Sequence, residues 1–128
     1  MEDEAFFLDS YAIHEIVEGS DSYKRFARRV KIMTTKLNLM EVYYSYLIKK
    51  GEGHAELVFN RFRGFCAEIG DEDYKNAMRF KASIRKERPK SNLSYIDAVG
   101  YAIAKKHGLK FLTGDKEFKG MENVEFAV

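Results

Sequence analysis

An unbroken apolar run, Ala5-Phe6-Phe7-Leu8, stopped at once by Asp9-Ser10, constrains this chain more than any other feature. Apolar residues without polar alternation suit a strand covered on both faces, and Asp and Ser are favoured helix N-caps. Strand, turn and helix therefore follow one another, with the helix running from about Tyr11 to Glu18 and ending near Gly19. The unit then recurs. Val30 to Thr35 is rich in β-branched residues and reads as a second strand. Leu37, Met40, Tyr44, Leu47 and Ile48 repeat at helical spacing up to Gly51. A further helix is predicted from His54 to Phe65, a short third strand from Phe65 to Ile69, and a long helix capped by Asp71 that reaches toward Arg88 and Pro89. Ser94 to His107 carries apolar residues at Ile96, Val99, Gly100 and Ile103 before Gly108, and Lys110–Thr113 and Asn123–Phe126 are the last strand candidates. Strands alternating with helices predict a parallel sheet covered on both faces, and such sheets bind ligands at the carboxyl ends of their strands.

Composition narrows the class. At 128 residues, with one proline and no low-complexity tract or repeat, the chain is expected to be a single domain over residues 1–128. A lone Cys66 excludes an internal disulfide and any cysteine-pair zinc site, and the three histidines His14, His54 and His107 lack ligand spacing. Gly51-Glu52-Gly53 lacks the Lys and Ser/Thr of a phosphate-binding loop. No apolar run approaches the ~18 residues of a membrane span, so no membrane association is expected. Met1-Glu2-Asp3-Glu4 is acidic where a secretory leader would be basic, and a cytoplasmic protein is expected. A net charge of +2 is too small to hold nucleic acid by overall charge, so charge matters locally.

Locally, four acids stand out: Asp9, Glu41, Asp97 and Asp115. Each has an ordinary structural explanation. Asp9 suits an N-cap, Ser94 and Asp97 have capping-box spacing, Thr113-Gly114-Asp115 suits a turn followed by a cap, and Glu41 could reach solvent from the edge of an apolar stripe. Yet all four map to strand ends or helix starts on one side of a parallel sheet. Converging carboxylates repel one another and raise one another's pKa unless a hard cation lies between them. Oxygen-only ligation suits Mg²⁺ or Mn²⁺, and such a cation assists attack on a phosphodiester.

The residues that carry these acids are Phe6-Phe7-Leu8-Asp9-Ser10, Leu37-Asn38-Leu39-Met40-Glu41-Val42-Tyr43-Tyr44, Leu93-Ser94-Tyr95-Ile96-Asp97-Ala98 and Leu112-Thr113-Gly114-Asp115-Lys116-Glu117-Phe118. In order and spacing they resemble the PIN domain family, in its VapC-type toxin group, across nearly the whole chain. The resemblance implies a three-layer α/β/α sandwich with a central parallel sheet and a Mg²⁺- or Mn²⁺-dependent endoribonuclease that leaves 5′-phosphate and 3′-hydroxyl ends. It also implies an RNA substrate, a small inhibitory antitoxin and a homodimer, with Tyr43, Tyr44 and Tyr46 as candidate interface. Asp9, Asp97 and Asp115 would hold the metal and Glu41 would complete the catalytic quartet, while Ser10 and Thr113 would orient carboxylates or bound waters.

Two basic clusters are candidates for RNA phosphates. One comprises Lys24, Arg25, Arg28, Arg29 and Lys31; the other leads into the Asp97 helix, and there Arg85, Arg88 and Lys90, with Lys116 beside Asp115, are preferred. Two rival readings remain open at this level: a PIN-like module that binds RNA or a partner without catalysis, and a receiver-like phosphoacceptor domain.

Overall fold

The computed structural model describes residues 4–28 and 30–128. Met1 to Asp3 of the acidic start, and Arg29 of the first basic cluster, lie outside the described residues. Strand β1, Glu4–Leu8, runs into helix α1, Ser10–Val17, and after a 3-10 segment at Asp21–Ala27 the chain forms β2, Val30–Met33. Helices α2, Lys36–Lys50, and α3, Glu52–Phe62, are joined at Gly51; α4, Asp71–Glu87, and α5, Tyr95–Lys106, precede β3, Lys110–Thr113, and β4, Val124–Phe126.

The four strands pair in the order β2-β1-β3-β4 and every pairing is parallel. Side chains on β1 alternate across the sheet. Phe6 and Leu8 enter a core built by α1, the 3-10 segment, α2 and α3. Phe7 faces the other way, into a core formed by α4 and α5 with Phe111 and Phe118. The result is a three-layer α/β/α sandwich. Burial of each such ring contributes on the order of 1.5–3 kcal/mol, which makes β1 the common wall of both cores.

Close packing shapes the second core. Gly100 of α5 lies against the stacked rings of Phe7 and Phe111, where an added Cβ would stand 2.9 Å from the Phe7 ring. Glycine at this point of a helix lets the backbone itself touch the sheet.

Several sequence expectations need correction. Phe65–Ile69 is not a strand: Arg63–Phe65 is a 3-10 turn, and only Thr34 and Cys66 form an isolated bridge before the chain leaves for α4. The helix expected at His54 starts at Glu52 and ends at Phe62. Gly70, not Asp71, occupies the N-cap of α4, where the Asp73 carboxylate accepts the Gly70 N–H at 2.8 Å and pairs with Lys106. The largest change concerns α2. Its buried positions are Asn38, Leu39, Val42 and Tyr46, while Met40, Tyr44, Leu47 and Ile48 are exposed. Helix α3 folds back on α2 as a hairpin and, with α1, selects the face that is covered.

Candidate active site

The strand order reverses direction between β1 and β3, since β1 is followed outward by β2 and β3 by β4. Helices on either side of such a switch point diverge and leave a crevice beyond the carboxyl ends of the two strands. Asp9 follows β1 and Asp115 follows β3, so both stand at this crevice. The remaining two acids come from opposite layers: Glu41 from the second turn of α2 and Asp97 from the first turn of α5.

Asp9 is the most constrained. It is buried to 2% exposure and its Oδ1 accepts the Ala12 N–H at 2.7 Å as the N-cap of α1. Its Oδ2 accepts the Thr113 hydroxyl, and the Thr113 oxygen in turn accepts the Asp115 N–H at 2.9 Å. Thr113 thereby links both strand ends. The local backbone is pinned as well: Asp9 N–H donates to the Leu112 carbonyl at 3.3 Å, and Thr34 donates its hydroxyl to the Leu8 carbonyl at 2.8 Å.

Glu41 is exposed but held. Ser10 donates to Glu41 Oε1 at 2.6 Å, Asn38 Nδ2 donates to Ser10 Oγ at 3.2 Å, and Thr35 donates to Asn38 Oδ1 at 2.6 Å. A polar chain thus runs from the buried α2 N-cap to the exposed carboxylate. Ser10 was legible in the sequence, whereas Thr35 and Asn38 were not; the signal available was the polar Asn38, about one helical turn before Glu41. Asp97 is half-buried, and its N–H donates to Ser94 Oγ at 3.1 Å, so the capping reading holds in part and coexists with a position at the crevice. Asp115 caps the short 3-10 turn Lys116–Phe118 through the Glu117 N–H at 3.0 Å.

Electrostatics tie the acids together. Burial pushes the Asp9 carboxyl up to about 7, with the charges of Asp97 and Asp115 adding to it against hydrogen bonds from Thr113 and Ala12. Burial likewise raises Asp97 to about 6, opposed by Ser94 and reinforced by Asp115 and Glu41. Among the described residues none of the four acids is in an ion pair. Among the described residues no protein cation pairs with them to offset their mutual repulsion.

That donor set fits a hard divalent cation: carboxylate and hydroxyl oxygens, with no thiol or imidazole among them. Among the described residues no three His, Cys, Asp or Glu side chains already close on one point as a cage. A cation that keeps several waters, as Mg²⁺ does, suits carboxylates arranged around a crevice rather than clasped on one point.

The tight turn between Thr113 and Asp115 has its own requirement. A Cβ at Gly114 would stand 2.2 Å from the Tyr11 ring and 2.7 Å from the Ala127 carbonyl, so only glycine fits beneath them. The family model of the PIN domain matches residues 6–124. The chain belongs to the PIN domain family. Its fold is similar to that of the sarcin–ricin loop cleaving toxin VapC20 from Mycobacterium tuberculosis, with a TM-score of 0.74 at 16% identity over 96% of this chain and 99% of that one. DNA-bound VapBC from Salmonella typhimurium matches with a TM-score of 0.72 at 19% identity over 96% of each chain. A toxin–antitoxin complex from Klebsiella pneumoniae matches with 0.69 at 20% identity over 93% of this chain and 94% of that one. No curated protein matches in sequence. As a PIN domain the chain departs from the receiver-like alternative.

The basic candidates fall in two groups. Lys24 and Arg25 are engaged with Asp21, Glu4 and Glu125 away from the crevice. Arg85, Arg88, Lys90 and Lys116 are exposed, and Arg88 Nη1 donates to the Glu117 carbonyl at 3.3 Å beside the Asp115 turn. Of the three tyrosines on α2, Tyr46 lies in the core with its hydroxyl on Glu18 at 2.7 Å, Tyr43 packs on Phe59, and only Tyr44 is open to solvent. Among the described residues no helix is long and apolar enough to cross a membrane.

Proposed function

We propose that this PIN domain is a Mg²⁺- or Mn²⁺-dependent endoribonuclease that acts as the toxin of a toxin–antitoxin pair in the cytoplasm. The observation that carries the chemistry is the group of four carboxylates at the switch point with two of them raised by burial and by one another's charge. Asp9, Asp97 and Asp115 would hold the cation, and Glu41 would complete the site directly or through water. A cation held there would supply charge neutralisation at the attacked phosphodiester and would make water more acidic for the attack. The protein's own work is positional. Thr113 fixes one oxygen of Asp9, the Ala12 N–H fixes the other, and the Thr35-Asn38-Ser10 chain aims Glu41. Groups that orient a ligand's oxygens in this way commonly matter as much as the ligands.

The toxin assignment is supported by the proteins of similar fold, which include a sarcin–ricin loop cleaving toxin and a toxin–antitoxin complex. A small antitoxin would supply an Arg or Lys to the acids, since a guanidinium pairs bidentately with carboxylates while staying charged. A homodimer belongs to the same reading. Met40, Tyr44 and Ile48 of α2, exposed to 55%, 66% and 69%, offer the apolar surface a second copy would cover.

The decisive experiment is RNA cleavage by purified, partner-free protein with Mg²⁺ or Mn²⁺, then with excess EDTA. Asp97→Asn should abolish cleavage with the fold intact, because it removes a ligand's charge at nearly constant shape. Cleavage that persists in EDTA, or in purified Asp97→Asn, refutes the metal-dependent reading.

A further inference from the structure

One cavity near the acids has a lining that the carboxylate chemistry does not use. It lies between the end of α4 and the loop that leads into α5, has a volume of about 230 Å³, and is lined by Lys81, Ile84, Arg85, Pro89, Ser91 and Leu93. Two cations and a hydroxyl share it with an apolar wall. Arg85 makes no ion pair among the described residues, and Lys81 spends one of its three protons on the Leu93 carbonyl at 2.5 Å. Lys81 Nζ also lies 5.0 Å from the centre of the Tyr95 ring, and that ring is 69% exposed. An exposed aromatic ring beside unneutralised cations is the combination that single-stranded nucleic acid recognises, because bases stack on the ring while phosphates meet the charge.

The cavity is joined to the acids by direct bonds. Ser91, on its wall, donates to Glu117 Oε2 at 2.9 Å, the Asn92 N–H donates to Glu117 Oε1 at 3.1 Å, and the Glu117 N–H donates to Asp115 Oδ1 at 3.0 Å. On the other side, Tyr95 opens the helix that carries Asp97. A ligand held here is therefore fixed relative to two of the four carboxylates.

We propose that this cavity and the Tyr95 ring form a nucleotide subsite for single-stranded RNA, with a backbone phosphate between Arg85 and Lys81 and the adjoining base stacked on Tyr95. The inference rests on the ribonuclease reading and adds to it the residues that seat the strand beside the scissile bond. An acidic protein segment would satisfy the cations but leave the exposed ring without a purpose, so RNA is the favoured ligand.

The test uses the full chain carrying Asp97→Asn, so that RNA binds without being cut, and a fluorescent unstructured oligoribonucleotide read by anisotropy over a salt series. Arg85→Ala in that background should weaken binding and reduce the log–log salt slope by about 0.7, the value for one lost phosphate contact on a single strand. Tyr95→Ala should weaken binding by at least about fivefold with the slope unchanged, and Tyr95→Phe should bind like the parent. Both positions are exposed, and melting without RNA checks that each variant folds. An unchanged affinity and slope for Arg85→Ala, or Tyr95→Phe as weak as Tyr95→Ala, overturns the subsite. So does displacement by poly-glutamate of equal charge combined with full affinity in Tyr95→Ala, which would make the cavity a general anion patch. Cleavage of the same oligoribonucleotide by the wild-type chain is measured in parallel. Cleavage with no effect of either variant on binding removes the subsite and leaves the nuclease; the expected binding changes with no wild-type cleavage keep the subsite and remove the nuclease.

Discussion

At the scale of single residues, the site is a compromise between local structure and charge. Asp9 caps α1 and Asp115 caps a 3-10 turn, and both also add to the negative field of the crevice. The cost of that field has a sign that can be measured. The folded-state pKa values of Asp9, about 7, and Asp97, about 6, lie above those of an unfolded chain. Between roughly pH 4 and 7 the native state then binds more protons than the unfolded one, and stability falls as pH rises through that window. Melting temperature in EDTA should therefore decline from pH 4.5 toward pH 7.5 more steeply in the wild type than in Asp9→Asn; parallel curves would mean that Asp9 is not raised. Mn²⁺ at neutral pH should restore stability, since a ligand of the native state stabilises by RT ln(1 + [L]/Kd). Glu41→Gln should lessen that gain, and an equal shift in both proteins would put Glu41 outside the metal's reach. Gly114 offers a purely steric test. An added methyl meets the Tyr11 ring and the Ala127 carbonyl, and Gly114→Ala should lose about 1–3 kcal/mol in urea unfolding, the usual cost of overpacking. A neutral result would show that the turn can shift.

At the scale of elements, the crevice depends on how the α4–α5 loop and the Asp115 turn are tied. Glu117 does this with three bonds, from Ser91, from the Asn92 N–H and from its own N–H to Asp115, and Arg88 adds a fourth at its carbonyl. Glu117→Ala removes only the side-chain bonds. It should weaken the Mn²⁺-induced melting shift while leaving the metal-free stability in urea unfolding within about 1 kcal/mol of wild type, because a partly exposed pair of hydrogen bonds has a small net value. A full metal shift in Glu117→Ala would separate the loop from the site. Helix α2 is the element whose orientation surprised. Leu37, Met40, Tyr44, Leu47 and Ile48 form a regular apolar stripe, yet Leu39, Val42 and Tyr46 form another, and the second is buried. Periodicity alone cannot choose between two stripes on one helix. Packing by α1 and α3 makes the choice, and it leaves Glu41 at the edge of the exposed stripe, free to face the crevice.

At the scale of the whole molecule, the two layers contribute different parts of one candidate site. The α1–α3 layer supplies Glu41 and its polar chain, the α4–α5 layer supplies Asp97 and the basic loop, and the sheet supplies Asp9 and Asp115 between them. Charge is divided accordingly, with acids at the crevice and the exposed cations Arg85, Arg88 and Lys90 at the end of α4 and in the loop that follows. If the toxin reading is right, expression of the chain without a partner should arrest growth, whereas Asp97→Asn should be harmless and still bind a small co-expressed protein from the native host. Harmless expression of the wild type together with no co-purifying small protein would remove the toxin role and leave the nuclease.

The sequence by itself determined the elements whose ends are local events. Asp9 after four apolar residues, Ser94 three residues before Asp97, and Gly108 after the last helical turn act on their own neighbouring N–H and C=O groups, and β1, α1, α5 and β3 duly begin or end there. Asp9, Asp97 and Asp115 stood out for the same reason, each sitting in a short pattern of cap or turn, whereas Glu41 stood out only as a carboxylate on an apolar helical stripe. The tertiary structure alone decided the non-local matters: that Phe65–Ile69 is reduced to a bridge, that Gly114 must yield to Tyr11, that Asn38 serves Glu41, and that Glu117 joins the basic loop to Asp115. These depend on residues tens of positions apart meeting across the sheet, and no spacing within one segment carries that information.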